Sequence, residues 1–326
     1  MRNLPLSMLC GITIALSNTA YAQGTADTYP TKPVQIIVPF TPGGATDIEA
    51  RVYAQKLTES VGRPFIVDYK AGAGGTIGGA YVAKSVADGH TLLVVTSSFT
   101  VNPAFYKELP YDTVKDFAPV SLMSKRVTVL LARPSFPAAT IRDYIAYAKA
   151  SPGKINIGAT GAGSIPHLAG AWLHNASNTQ ATYIQYKGTT PLLLDLIAER
   201  VDVNPSPLVN GLQYIKTGKL KILGIMSDDR SDLLPGVQTV AEQGVPGFDY
   251  SSWLGFVAPR STPTAIVNKL STEFARAARA PDVAQKFGPE GTTMVGSTPA
   301  KVQELIVTEV NRWSKLVQAS GIKLDE

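Results

Sequence analysis

The chain has 326 residues, 44% hydrophobic and 17% charged, with 28 glycines and 23 prolines. That composition provides cores for about two domains and excludes a disordered or collagen-like chain. The 30 Lys and Arg against 25 Asp and Glu leave a net charge of +5. The basic residues are scattered, so the stripe that nucleic acid requires is absent.

Residues 1–22 form a targeting segment. Met1-Arg2-Asn3 is a short positive start, Leu4 to Leu16 is mostly apolar but too short to span a bilayer, and Ala20-Tyr21-Ala22 provides small residues for cleavage. The single cysteine, Cys10, falls inside this segment. A mature chain starting near Gln23 therefore has no disulfide and no thiolate chemistry.

The mature chain then alternates strands and helices. A strand at Val34–Val38 ends in Pro39-Phe40-Thr41-Pro42-Gly43-Gly44, and a helix capped by Thr46 or Asp47 follows, with Ile48, Val52 and Leu57 on its apolar face. A second strand, Phe65–Val67, leads through Ala71–Thr76 into a helix to about Ala87. A third, Leu92–Val95, runs into Thr96-Ser97-Ser98. Three such units predict an open parallel sheet with helices on both faces and ligands beyond the carboxyl ends of its strands.

The rhythm changes near Ala118–Lys125 and restarts. A strand at Val127–Ala132, a helix at Ile141–Ala150 and a strand at Ile155–Gly158 precede the loop Ala159–Ser164, which opens a helix from about Pro166 through Trp172. Further strands are expected at Thr182–Gln185, Val201–Val203 and Leu220–Ile225, with a helix at Thr190–Ala198. Trp253–Ala258 reads as a returning strand, and the remainder is mainly helical, at Thr264–Ala280, Asp282–Phe287 and Pro299–Ser320. The predicted architecture is α/β and two-lobed, each lobe a mainly parallel sheet flanked by helices. One lobe comprises 23–125 and 255–326, the other 126–254.

The glycine-rich stretch Ala71–Gly79 lacks the Lys-Ser/Thr pair of a P-loop, and Ile77 stands at the third glycine's place in the dinucleotide fingerprint. What remains is a helix N-terminus whose free N–H groups favour an anion. Gly43-Gly44-Ala45-Thr46-Asp47, Gly74-Gly75-Thr76, Ser97-Ser98 and Thr160 to Ser164, with Ala162 and Gly163, offer this feature. The alternative for each loop is a tight turn that needs glycine. Ser164 and His167 lie one turn apart and could form a hydrolase pair, but the nucleophile elbow is absent. Ser164 reads better as a cap and ligand donor, and His167 as a ligand contact or a packed histidine. Phe40 and Trp253 are either core or flat surfaces flanking a cleft. Three scattered histidines predict no metal site, and no cofactor is expected.

Together these residues carry a family resemblance. Tyr29-Pro30-Thr31-Lys32-Pro33-Val34 and Val38–Asp47 resemble the mature start of the tripartite tricarboxylate transporter substrate-binding proteins, the Bug family. Ala71–Gly75, Ala87–Leu92, Tyr186-Lys187-Gly188, Thr217–Leu220, Pro235–Glu242 and Trp253–Phe256 continue it in order. The resemblance implies a monomeric, non-catalytic periplasmic "Venus flytrap" that passes a small carboxylate to integral-membrane permease subunits. It also implies that backbone groups hold the near carboxylate. In one place the chain departs from the family pattern: Asn204-Pro205-Ser206-Pro207 occupies a stretch where Ser206 replaces a usual Asp. A serine cannot neutralise a ligand ammonium group. The exchange therefore points away from amino acids and towards a dicarboxylate, aromatic like a phthalate isomer or aliphatic, with Asn204 and Ser206 near its distal end.

Overall fold

The β-branched run Val34–Val38 forms β1, all but Gln35 buried. In this computed structural model, which describes residues 27–40, 42–106, 108–160, 164–186 and 188–320, β1 is a central strand. It pairs in parallel with β2 (Phe65–Tyr69) and β3 (Thr91–Thr96). The connections are α1 (Ala45–Val61) and α2 (Thr76–Ala83), and α3 (Ser97–Phe105) follows β3. α1 starts after Gly44, ahead of the expected caps, and Ile48, expected on its buried face, is 44% exposed.

β4 (Phe117–Arg126) and β11 (Thr292–Met294) complete the first sheet with β10 (Ser252–Pro259), in the order β11-β4-β10-β3-β1-β2. The second sheet has the order β7-β6-β8-β5-β9, from β5 (Thr128–Ala132), β6 (Asn156–Ala159), β7 (Thr182–Gln185), β8 (Val203–Pro207) and β9 (Lys221–Ile225). Both sheets are mixed rather than mainly parallel. The returning strand β10 inserts antiparallel between β3 and β4, and β5 runs antiparallel to β8 and β9.

β8 is longer than expected because its two prolines are tolerated. Residues two apart in a strand direct their N–H positions to the same edge. Leu208 N–H bonds to Val127 O on the β5 side, so Pro205 and Pro207 face β6 with no donor to offer. Pairing with β5 runs from Val203 to Pro207, whereas pairing with β6 stops at Val203. The glycine run in α2 likewise serves packing. A Cβ at Gly78 would stand 2.8 Å from the Pro39 side chain, and one at Gly79 2.5 Å from the Tyr111 ring.

The second lobe contributes α4 (Ile141–Ala150), α5 (Ile165–Ser177), α6 (Thr189–Ile197) and α7 (Leu208–Lys216). The first ends with α8 (Thr264–Ala278), α9 (Pro281–Phe287) and α10 (Pro299–Ser320). The chain crosses between lobes at Arg126–Thr128 and again at Tyr250–Ser252. α10 bridges them too: Val302 and Ile306 pack in the core under the first sheet, Trp313 and Leu316 in that of the second.

Candidate functional site

Four helices open towards one interlobe cavity of about 370 Å³. Each follows a strand, so each presents its N-terminus at a strand's carboxyl end. α1 contributes Ala45 and Thr46, α3 Ser97 and Ser98, α5 its N-cap Ser164, and α7 Val209 and Asn210 with its N-cap Pro207. None of the four N-caps makes a side-chain capping bond. Their first-turn N–H groups therefore lack the usual capping acceptor, and the aligned peptide dipoles favour negative charge there. Ser164 Oγ is buried with no hydrogen-bond partner among the described residues, a donor that a ligand can use. Phe40, Val101, Leu168 and Tyr250 supply apolar wall.

Other sequence-derived candidates lie further out. Thr160, Asn204 and Ser206 line a smaller pocket of about 200 Å³, which shares Pro207 and Asn210 with the main cavity. Asn210 Nδ2 donates to Ser206 Oγ at 3.1 Å, and Asn204 Nδ2 to Gly158 O at 3.0 Å. Gly74 and Gly75 border a separate void of about 10 Å³ that they share with Phe40. Gly43 and Gly44 are exposed at the mouth of α1, and Thr76 is buried at the start of α2. Ala162 and Gly163 lie outside the described residues.

Three candidates are turned away from the cavity. Asp47 accepts from Gly43 N–H at 2.8 Å, Tyr69 O–H at 2.7 Å and Arg51 Nε–H at 2.9 Å. Burial pushes its carboxyl up, but these three donors outweigh that and hold it below the usual range. Its carboxylate is thus used in closing the Gly43–Asp47 loop. His167 is buried with its ring 4.6 Å from that of Tyr183 and does not line the cavity, so it makes no catalytic pair with Ser164 there. Trp253 is 1% exposed. It belongs to the first sheet because β10 begins at Ser252, and its indole N–H donates to Glu309 at 3.1 Å. It is therefore core, not a cleft wall.

Glu309 has a second neighbour, Thr100, whose Oγ1 lies 2.6 Å from the carboxylate and 2.8 Å from Ser97 O. The Thr100 hydroxyl proton is shared between these two acceptors. Burial pushes the Glu309 carboxyl up to about 7, against the lowering effect of the hydrogen bonds from Thr100 and Trp253. An unfolded glutamate ionises near 4.5, so between these values the unfolded state binds fewer protons and stability falls as pH rises. Glu309→Gln should remove this dependence. From pH 4.5 to pH 7 its stability relative to wild type should rise, by on the order of 3 kcal/mol, in urea titrations at both values.

Sequence reasoning missed Arg126, Tyr250 and Ser252, all cavity-lining residues at the two crossings. Arg126 Nη2 donates to the fully buried Glu49 of α1. Burial raises the Glu49 carboxyl and Arg126 opposes the rise. No local motif marks these residues, because only strand pairing brings the crossings to the cavity floor. Among the described residues no group of three or more His, Cys, Asp or Glu is arranged to hold a metal ion, and no helix is long and apolar enough to cross a membrane.

Two α/β lobes joined by crossing strands, with helix N-termini from both converging on one cleft, define the solute-binding-protein class. Comparison with known proteins narrows this. The model of the tripartite tricarboxylate transporter family receptor (TctC) matches residues 49–322. Protein BugT of Bordetella pertussis is 38% identical over 323 residues, covering 98% of each chain. The solved structure of R. palustris Rpa4515 with adipate is 33% identical with a TM-score of 0.76, covering 90% of this chain and 99% of its own. MatC from Rhodopseudomonas palustris with bound malate is 31% identical with a TM-score of 0.74, covering 89% and 100%. The chain belongs to this TctC/Bug family of periplasmic receptors, which deliver a small organic acid to a membrane permease. It is a solute-binding protein and not an enzyme.

Proposed function

We propose that the chain captures a small dicarboxylate, aliphatic or aromatic such as a phthalate isomer, between its lobes and hands it to the integral-membrane subunits of a tripartite transporter. The observation that carries this reading is the convergence of four helix N-termini without side-chain caps, two from each lobe, on one cavity. Such ends attract an anion without a fixed positive charge, and donors on both lobes give the closed form its better contacts. Ser206, in the adjoining pocket, would meet the distal end. The similar receptors that hold adipate and malate support the ligand class.

A melting-shift screen of aliphatic and aromatic dicarboxylates, monocarboxylates and amino acids tests the reading. A ligand at 100 times its Kd should add about 2.7 kcal/mol of stability, and dicarboxylates should give the largest shifts. A screen in which no carboxylate shifts the transition would contradict it.

Gly44→Val probes the seat on α1. Gly44 is extended (φ −79°, ψ 168°), and a Cβ there meets nothing within 4 Å, so the fold should tolerate valine. The isopropyl group would shield the first-turn N–H groups, and affinity should fall at least tenfold, about 1.4 kcal/mol. Unchanged affinity by calorimetry would remove α1 from the binding account. The proposal also includes export: N-terminal sequencing of the periplasmic protein should begin near Gln23, and a retained Met1 would overturn that part.

A further inference from the structure

Arg126 is the last residue of β4, at the first crossing between the lobes, and the side chains of neighbouring strand residues point to opposite sides. Lys125 turns to Asp228, at 3.6 Å, whereas Arg126 turns to Glu49. Glu49 lies four residues beyond Ala45, one turn down α1 from the end that lines the cavity. The guanidinium is thus held beneath the anion seat.

Arg126 is the one Lys or Arg among the described residues lining this cavity, and no Asp or Glu lines it. Only Nη2 is engaged, by Glu49; no acceptor among the described residues takes the Nε or Nη1 hydrogens. A guanidinium with part of its fork unused suits a carboxylate. Arg126 also borders a second crevice of about 290 Å³, where Asp228, Asp229 and Asp232 offset Lys125, Arg230 and Arg126 itself, whereas in the main cavity no lining acid opposes the guanidinium.

We propose that Arg126 is the cationic contact for a second anionic group of the ligand on the cleft floor, and that Glu49 is its positioning residue. The inference rests on the carboxylate-receptor reading and deepens it. The ligand's near carboxylate takes helix N–H groups, and its distal carboxylate shares Arg126 with Glu49 on one side and faces Asn210 and its partner Ser206 on the other. A monocarboxylate of the same skeleton leaves Arg126 to Glu49 alone.

The test is titration calorimetry with adipate and terephthalate, each against its monocarboxylate counterpart, hexanoate or benzoate. The proteins are wild type, Glu49→Gln and the double variant Glu49→Gln/Arg126→Gln, in which no buried charge is left unpaired. Glu49→Gln frees the Arg126 charge, so the preference for dicarboxylate over monocarboxylate should rise about threefold or more. The double variant should lose about tenfold or more of that preference relative to Glu49→Gln. The same preference in all folded variants overturns the role of Arg126 while leaving the receptor reading intact. If the double variant does not fold, an unchanged preference in Glu49→Gln overturns it alone. If wild type binds none of the four acids, the carboxylate reading fails and this inference with it.

Discussion

Arg126→Ala is expected to destabilise the protein by about 3–5 kcal/mol, because it leaves the Glu49 carboxylate buried without its counter-ion. Glu49 is 0% exposed, and burial already raises its carboxyl with Arg126 in place. Losing the guanidinium raises it further above the unfolded value. The folded variant then keeps a proton that the unfolded chain releases, so its stability falls as pH rises through that interval. The deficit against wild type should be small near pH 4.5 and full at neutral pH. Glu49→Gln should rescue it, since a neutral amide needs no counter-ion. Urea titrations of the two single variants and the double variant close the cycle. A strongly favourable coupling is the expected result, and additive costs would show that the pair does not act as a unit.

Ser206→Asp should weaken dicarboxylate binding about 100-fold at neutral pH. Ser206 is buried beside Asn210 in the pocket that joins the main cavity. On the proposed reading a carboxylate there would face the ligand's distal carboxylate, and two like charges about 4 Å apart at an effective dielectric of about 20 repel by about 4 kcal/mol. Repulsion raises the pKa of the new acid, so mild acid should restore part of the affinity. Melting must be followed in parallel, because an aspartate at this buried position also faces desolvation. Calorimetry showing wild-type affinity at neutral pH would place Ser206 away from the distal group. A wild type that prefers aspartate or glutamate to every simple dicarboxylate would defeat the charge argument itself.

The sequence made much of the cleft legible because binding loops at strand ends have local signatures. Phe40, Thr46, Ser97 and Ser164 each stand where an apolar run meets a helix start, and the structure brings all four round one cavity. Long-range placement was not legible. Trp253 reads equally as core or as a cleft aromatic until β10 is seen to insert between β3 and β4, which puts the indole on Glu309. Pro205 and Pro207 read as a strand end, yet the strand continues because β6 requires no donor from them. Gly78 and Gly79 stand where a P-loop would carry its Lys-Ser/Thr pair, and their cause is the approach of Pro39 and Tyr111. Arg126 and Glu49 are 77 residues apart, and only the fold places them together.

A crystal structure of the protein with the carboxylate that gives the largest melting shift tests the central claim most directly. One carboxylate should lie against the first turns of α1 and α3 within hydrogen-bonding distance of their N–H groups, with both lobes touching the ligand. A ligand seated in the crevice beside Asp228, or held by one lobe alone, would contradict the account.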